Sequence, residues 1–129
     1  MADRQPIKPE GHPSNTNPLT PGIKAAGLVF VSGHTGRGMV NGEAVLGKDM
    51  AEQTRFCLDN IKRVLETAGS SMDKIVKCNV YVTDISQFEA MNNEYRAFFP
   101  NDPPARTTVE VSSLARPGLL VEIEATALA

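Results

Sequence analysis

Cysteine and histidine are scarce in this chain: 129 residues hold two of each. Cys57 and Cys78 form no C-x-x-C, and each lies in a periodic apolar segment. Both read as small core residues rather than as a disulfide or a nucleophile, which fits a reducing compartment and favours the cytoplasm. Without ligand spacing these four residues make no metal site. Net charge is nearly absent as well. Thirteen basic residues against 15 acidic ones leave −2, with no polybasic run, so the electrostatic footprint of a nucleic-acid binder is missing. No apolar run reaches membrane-spanning length, and Met1 to Pro6 lacks the apolar core of a signal peptide. Gly33-His34-Thr35-Gly36 lacks the lysine and spacing of a phosphate loop. No Ser-His-Asp or Cys-His signature stands on spacing alone.

What is present is an ordinary globular composition, 41% hydrophobic and 22% charged, in one domain over residues 1–129. Residues 1–22 carry Pro6, Pro9, Pro13, Pro18 and Pro21, which excludes helix. They read as an extended segment with a short edge strand at Gln5 to Lys8. Ile23 to Ser32 reads as one strand, its Leu28-Val29-Phe30-Val31 run buried on both faces. Val40-Asn41-Gly42-Glu43 is a hairpin signal. Asp49 caps a long helix, with Glu52 completing a capping-box pattern and Gly69 ending it. Its apolar stripe runs through Ala51, Thr54, Cys57 or Leu58, Ile61, Val64 or Leu65, and Ala68. A strand follows over Lys74 to Val82. Ser86 and Glu89 then open a second helix striped by Phe88, Met91, Tyr95 and Phe98.

The last third alternates strictly. Pro104 to Val111 places Arg106, Thr108 and Glu110 on one face, and Leu119 to Leu128 places Glu122 and Glu124 opposite Val121 and Ile123. A Pro117-Gly118 turn joins the two, which reads as an antiparallel pair with Arg106 and Glu122 on one surface of one sheet. The element order gives α+β: a mainly antiparallel six-stranded sheet with two helices on one face. The other face mixes charge, threonine and leucine and is short of lysine, which suggests association with further subunits.

Pro104-Ala105-Arg106-Thr107-Thr108-Val109-Glu110-Val111 followed by Val121-Glu122-Ile123-Glu124-Ala125 resembles the RidA/YjgF family of imine deaminases. Leu28 to Gly33, Gln53 with Leu58-Asp59-Asn60, Lys77 through Asp84, and Phe88 through Phe99 match it too, so the likeness runs from about Asn17 to Ala129. The resemblance implies a chorismate-mutase-like α+β fold, a homotrimer with sites between subunits, no cofactor, and hydrolysis of 2-aminoacrylate or 2-iminopropanoate to a 2-keto acid and ammonia. Arg106 matches the family arginine that grips the substrate carboxylate, apt because guanidinium offers two parallel donors and stays charged when partly buried. Glu122 matches the glutamate that holds the attacking water. Ser32, Gly33, Asn92 and Thr108 match other pocket positions, Thr108 through its backbone. Two positions depart. Leu19 stands where the family commonly has a tyrosine over the substrate, and His34 replaces a usual glutamine, where it could move protons near neutral pH. Other readings follow from these departures: a deaminase of a different enamine acid such as 2-aminomuconate, or a non-catalytic small-molecule-binding or chaperone-like trimer. RNA cleavage, an older label for the family, sits badly with the acidic charge.

Overall fold

A computed structural model describes residues 3–12 and 17–129. In chain order the strands are β1 (Gln5–Ile7), β2 (Gly22–Ala25), β3 (Leu28–Thr35), β4 (Arg37–Val40) and β5 (Glu43–Leu46). Helix α1 (Met50–Thr67), β6 (Ile75–Val82), α2 (Phe88–Phe98), β7 (Ala105–Glu110) and β8 (Val121–Leu128) complete it. Six strands form one sheet in the order β1-β2-β3-β8-β6-β7, and β4 pairs with β5 separately. All pairings are antiparallel except β6 with β7. Both helices cover one face of the sheet, so the fold is the expected α+β arrangement. No helix among the described residues is long and apolar enough to cross a membrane.

Local chemistry explains the elements. Asp49 accepts from the Glu52 amide at 2.9 Å and starts α1, while Glu52 reaches back to the Lys48 amide, also at 2.9 Å. Gly69, at φ +81°, ends the helix. Leu58, Ile61, Val64 and Leu65 are fully buried against Val29, Val80, Val121 and Ile123 of the sheet, with Cys57 and Cys78 among them as free thiols. Burial raises the pKa of both thiols, and the Glu122 charge adds to the rise at Cys57. Both are core residues, as their periodicity predicted.

Three expectations are corrected. Ile23 to Ser32 is two strands, because Ala26 and Gly27, both at positive φ, make a tight turn between them. Phe30 is consequently 45% exposed on the helix-free face rather than buried on both sides. Ser86 does not cap α2: Asp84 accepts from its amide and hydroxyl and caps a short 3-10 turn, Ile85–Gln87, that leads into α2.

The third correction concerns the site. β7 is not the neighbour of β8. β6 lies between them, and β6-α2-β7 forms a parallel crossover unit. Cys78 is the partner of Arg106 on one side and of Ala125 on the other, which puts Arg106 on the helix-covered face. Tyr81 pairs with Glu122, which puts Glu122 on the opposite face. Arg106 and Glu122 of one chain therefore share a sheet but not a surface.

Candidate functional site

The expected site residues fall into two groups. The first sits where β7 meets α2. Arg106 is half-buried; its Nη1 donates to Asn92 Oδ1 at 2.7 Å. Its guanidinium carbon lies 4.7 Å from the centroid of the Tyr95 ring and 5.6 Å from that of Phe88. Asn92 and Tyr95 are neighbours on the helix because they are three residues apart. Two aromatic rings and one amide oxygen thus fix the guanidinium plane. No carboxylate among the described residues lies within 4 Å of it. Thr108, two residues on and facing the same way, has a buried hydroxyl with no hydrogen-bond partner among the described residues. Arg106 and Thr108 together present spare donors beside an aromatic wall.

The second group lines a separate cleft of about 410 Å³ beside the end of β3, containing Leu19, Gly33, His34, Asn60, Leu119 and Glu122. A bulge makes it. The β3–β8 register shifts between Val31 and His34, so Ser32-Gly33 stands where the pleat is broken. Gly33 has no side chain because the Glu122 carboxylate occupies the space a Cβ would need. Ser32 ties the preceding segment down: its amide donates to the Pro21 carbonyl at 3.0 Å and its hydroxyl to the Thr20 carbonyl at 2.5 Å. Leu19, 51% exposed, is held over the cleft as a result. It adds apolar surface there and no hydroxyl.

The two glutamates of β8 differ. Glu124 Oε1 accepts from Tyr81 Oη at 2.8 Å and Asn79 Nδ2 at 2.9 Å. Glu122 accepts from no donor among the described residues, and burial, followed by the charge of Glu124, raises its pKa. A carboxyl moved toward neutral pH in a cleft, with both oxygens free, can hold a water and exchange a proton with it. Glu124 is the structural member of the pair.

His34 does not behave as a switch near neutral pH. It is buried on the helix side, its ring edge-on to that of His12 at 5.8 Å. Its pKa falls to about 4, first through burial and next through His12, with Arg63 adding to the fall and the Pro21 carbonyl opposing it. The imidazole stays neutral at physiological pH.

Residues 10–129 match the family described as Endoribonuclease L-PSP. The chain belongs to the RidA/YjgF family. A RutC family protein of Pyrococcus horikoshii is 40% identical over 124 residues, covering 96% of this chain and 97% of its own. Among solved structures, YyfA of Yersinia pestis, a Rid family protein of unknown function, superposes with a TM-score of 0.88 at 37% identity, covering 98% of this chain and 99% of its own. The YjgF gene product of E. coli gives 0.87 at 35% identity, covering 96% and 98%. The RidA/YjgF fold is thus shared over nearly the whole length.

Sequence reasoning missed several residues that shape both groups. Tyr95 was read as core stripe, yet its ring also carries Arg106; its place one turn after Asn92 was the available signal. Gln53 matched the family pattern, but its contacts were not visible. Its amide nitrogen donates to the carbonyls of Gly47 and Gly118, and its oxygen accepts from the Leu120 amide at 2.8 Å, pinning the entry to β8.

Proposed function

We propose that this protein is a hydrolytic deaminase of reactive 2-enamine and 2-imino acids, and that it works as a trimer in which the Arg106 face of one copy closes on the Glu122 cleft of the next. The observation that carries this reading is the Arg106 guanidinium, oriented by Asn92 and two rings and without a counter-ion among the described residues. Such a group is suited to a bidentate carboxylate. The separation of Arg106 from Glu122 within one chain supports a site built from two copies. So does the helix-free face, where Phe30, Val109 and Leu128 are 45%, 42% and 51% exposed.

The chemistry asks little of the protein. The enamine tautomerises to the imine, whose carbon is already electrophilic. A water held by Glu122 adds to that carbon, its proton passing to the carboxylate and on to nitrogen. The hydroxyl proton of the resulting carbinolamine then passes to nitrogen by the same carboxylate as the C–N bond breaks, leaving a 2-keto acid and ammonia. Positioning by Arg106 and one modest proton exchange supply the rate enhancement. The neutral imidazole of His34 takes no part in these transfers. A nuclease reading has less support, since the formal charge is −2 and no basic stripe exists. Leu19 favours a second reading on one point: without a tyrosine hydroxyl there, the site suits a different enamine acid, or binding without turnover.

The test generates 2-aminoacrylate or 2-iminobutanoate in situ and traps it with semicarbazide. The protein should suppress the trapped product. Arg106→Ala should lower kcat/KM by about 30-fold or more, since truncating a desolvated charge pair costs roughly 2–5 kcal/mol. Glu122→Gln should also be slow. A mixture of the two variants, refolded together, should regain activity, because some sites then draw an intact residue from each copy. Near wild-type turnover by Arg106→Ala would refute the mechanism.

A further inference from the structure

The cleft is larger and more cationic than a three-carbon substrate needs. At about 410 Å³ it falls within the roughly 300–1,000 Å³ of pockets that hold drug-sized ligands. Beyond Gly33 and Glu122 its wall contains Arg37 and Arg116, both exposed and neither within 4 Å of a carboxylate among the described residues. Arg37 starts β4, and its carbonyl is fixed by Asn60 Nδ2 at 2.7 Å; Asn60 in turn accepts from Arg63 Nη1 at 3.1 Å. The chain as a whole carries −2, yet among the described residues the only carboxylate in the cleft wall is Glu122. Two imidazoles also line the cleft. His12 Nδ1 and His34 Nε2 are buried ring nitrogens with no hydrogen-bond partner among the described residues. Leu19, Met39, Ala44 and Leu119 share the wall with the cations and Glu122, and their apolar surface suits a methylene stem.

We propose that the cleft is a side-chain subsite for a second carboxylate, and that Arg37 and Arg116 select 2-imino acids carrying one at the far end of a short apolar chain. The proposal rests on the deaminase reading for its chemistry but not for its binding. Anchored at C1 by Arg106 of a neighbouring copy, the substrate lies along the cleft with C2 beside Glu122 and its distal carboxylate at the arginine pair. A fork of N–H donors meets a planar anion there, as it does at C1. The subsite takes no part in bond-making; it raises affinity for one class of substrate.

Two measurements on the full chain separate this subsite from the reaction. The first compares kcat/KM for the imines that an amino-acid oxidase makes from alanine and from glutamate. The dicarboxylic imine should be preferred. Arg37→Gln with Arg116→Gln should reduce the ratio of the two kcat/KM values by about tenfold to a hundredfold, the scale of a lost charge-assisted hydrogen bond. Lysine at both positions should restore part of it. The second measures binding of the product-like acids pyruvate and 2-oxoglutarate by calorimetry. Tighter binding of 2-oxoglutarate that the double variant abolishes would sustain the subsite even if neither imine were turned over; that outcome would count against the deaminase reading alone. Equal binding of the two acids, or a ratio unchanged in the double variant, overturns the subsite and leaves the deaminase reading standing.

Discussion

Replacing Gln53 by leucine should destabilise the protein by about 3 kcal/mol. The side chain is 1% exposed and makes three hydrogen bonds: to the Gly47 carbonyl at 3.1 Å, to the Gly118 carbonyl at 2.9 Å and from the Leu120 amide at 2.8 Å. Each is worth about 0.5–1.5 kcal/mol net, and leucine leaves one amide and two carbonyls without their partner. Volume changes little, so no new cavity enters the sum. The close glycines at 36 and 47, whose missing side chains make room for Gln53, remain compatible. Urea denaturation at fixed protein concentration reads the effect as a lower midpoint with an unchanged slope. A thermal scan should show a drop of roughly 10 °C for a chain of this size. A loss below about 1 kcal/mol would mean that water or a relaxed loop satisfies these groups, and the reasoning would fail. Gln53→Glu sharpens the test. The carboxylate keeps the Leu120 bond but faces two carbonyl oxygens, so its folded pKa must rise above the unfolded value. Stability is then present at low pH and lost as pH climbs through the folded pKa, a slope that the leucine variant lacks.

His34 gives a pH dependence of the opposite sense. Its folded pKa of about 4 lies below the ordinary histidine value of 6.5, so the unfolded chain takes up a proton that the folded one refuses. Stability is fully present above pH 6.5 and falls by about 3 kcal/mol as pH drops to 4; His34→Gln should flatten that part of the profile, as measured by urea midpoints across pH. Gly33→Ala pushes a methyl group against the Glu122 carboxylate. The carboxylate end can swing aside, so stability should change little, but turnover in the semicarbazide assay should fall by about tenfold or more; unchanged turnover would mean that Glu122 is not placed by the bulge.

How far the sequence could be read varies element by element, for physical reasons. Asp49 and Gly69 mark the ends of α1 because caps act within one turn. Asn41-Gly42 marks the β4–β5 hairpin because both residues sit at positive φ, where few others do well. The alternation in β7 and β8 separated each strand into two faces correctly. Alternation does not say which face meets the helices, and that depended on β6 entering between them. The parallel partner of Arg106 is Cys78, far away in sequence, and no local signal encodes that register. The Leu28–Val31 run misled for a related reason. Phe30 looks like core by composition, yet it lies on the sheet face that neither helix covers.

Of the candidate site, Arg106, Glu122 and Gly33 were legible through their motif, and Asn92 through its neighbours. The cleft was not, because its walls come from the segment around Leu19, the start of β4, the middle of α1 and the loop before β8. His34 was legible as a position and misread in its chemistry. Its proton affinity is set by burial and by His12 and Arg63, which only the folded chain brings near.

Strand β8 follows every other strand in the chain and yet lies inside the sheet, between β3 and β6. Until Val121–Leu128 has been synthesised, β3 and β6 each keep a bare hydrogen-bonding edge, and the two halves of the sheet have nothing to join them. Gln53 waits over the same interval for a partner 67 residues away. A growing chain can therefore form α1 and the β4–β5 hairpin early, but the sheet closes in a single late step that depends on distant contacts. A nascent chain stopped before Val121 should be sticky and protease-sensitive however much of its length has emerged, and the last strand acts as the commitment point of synthesis.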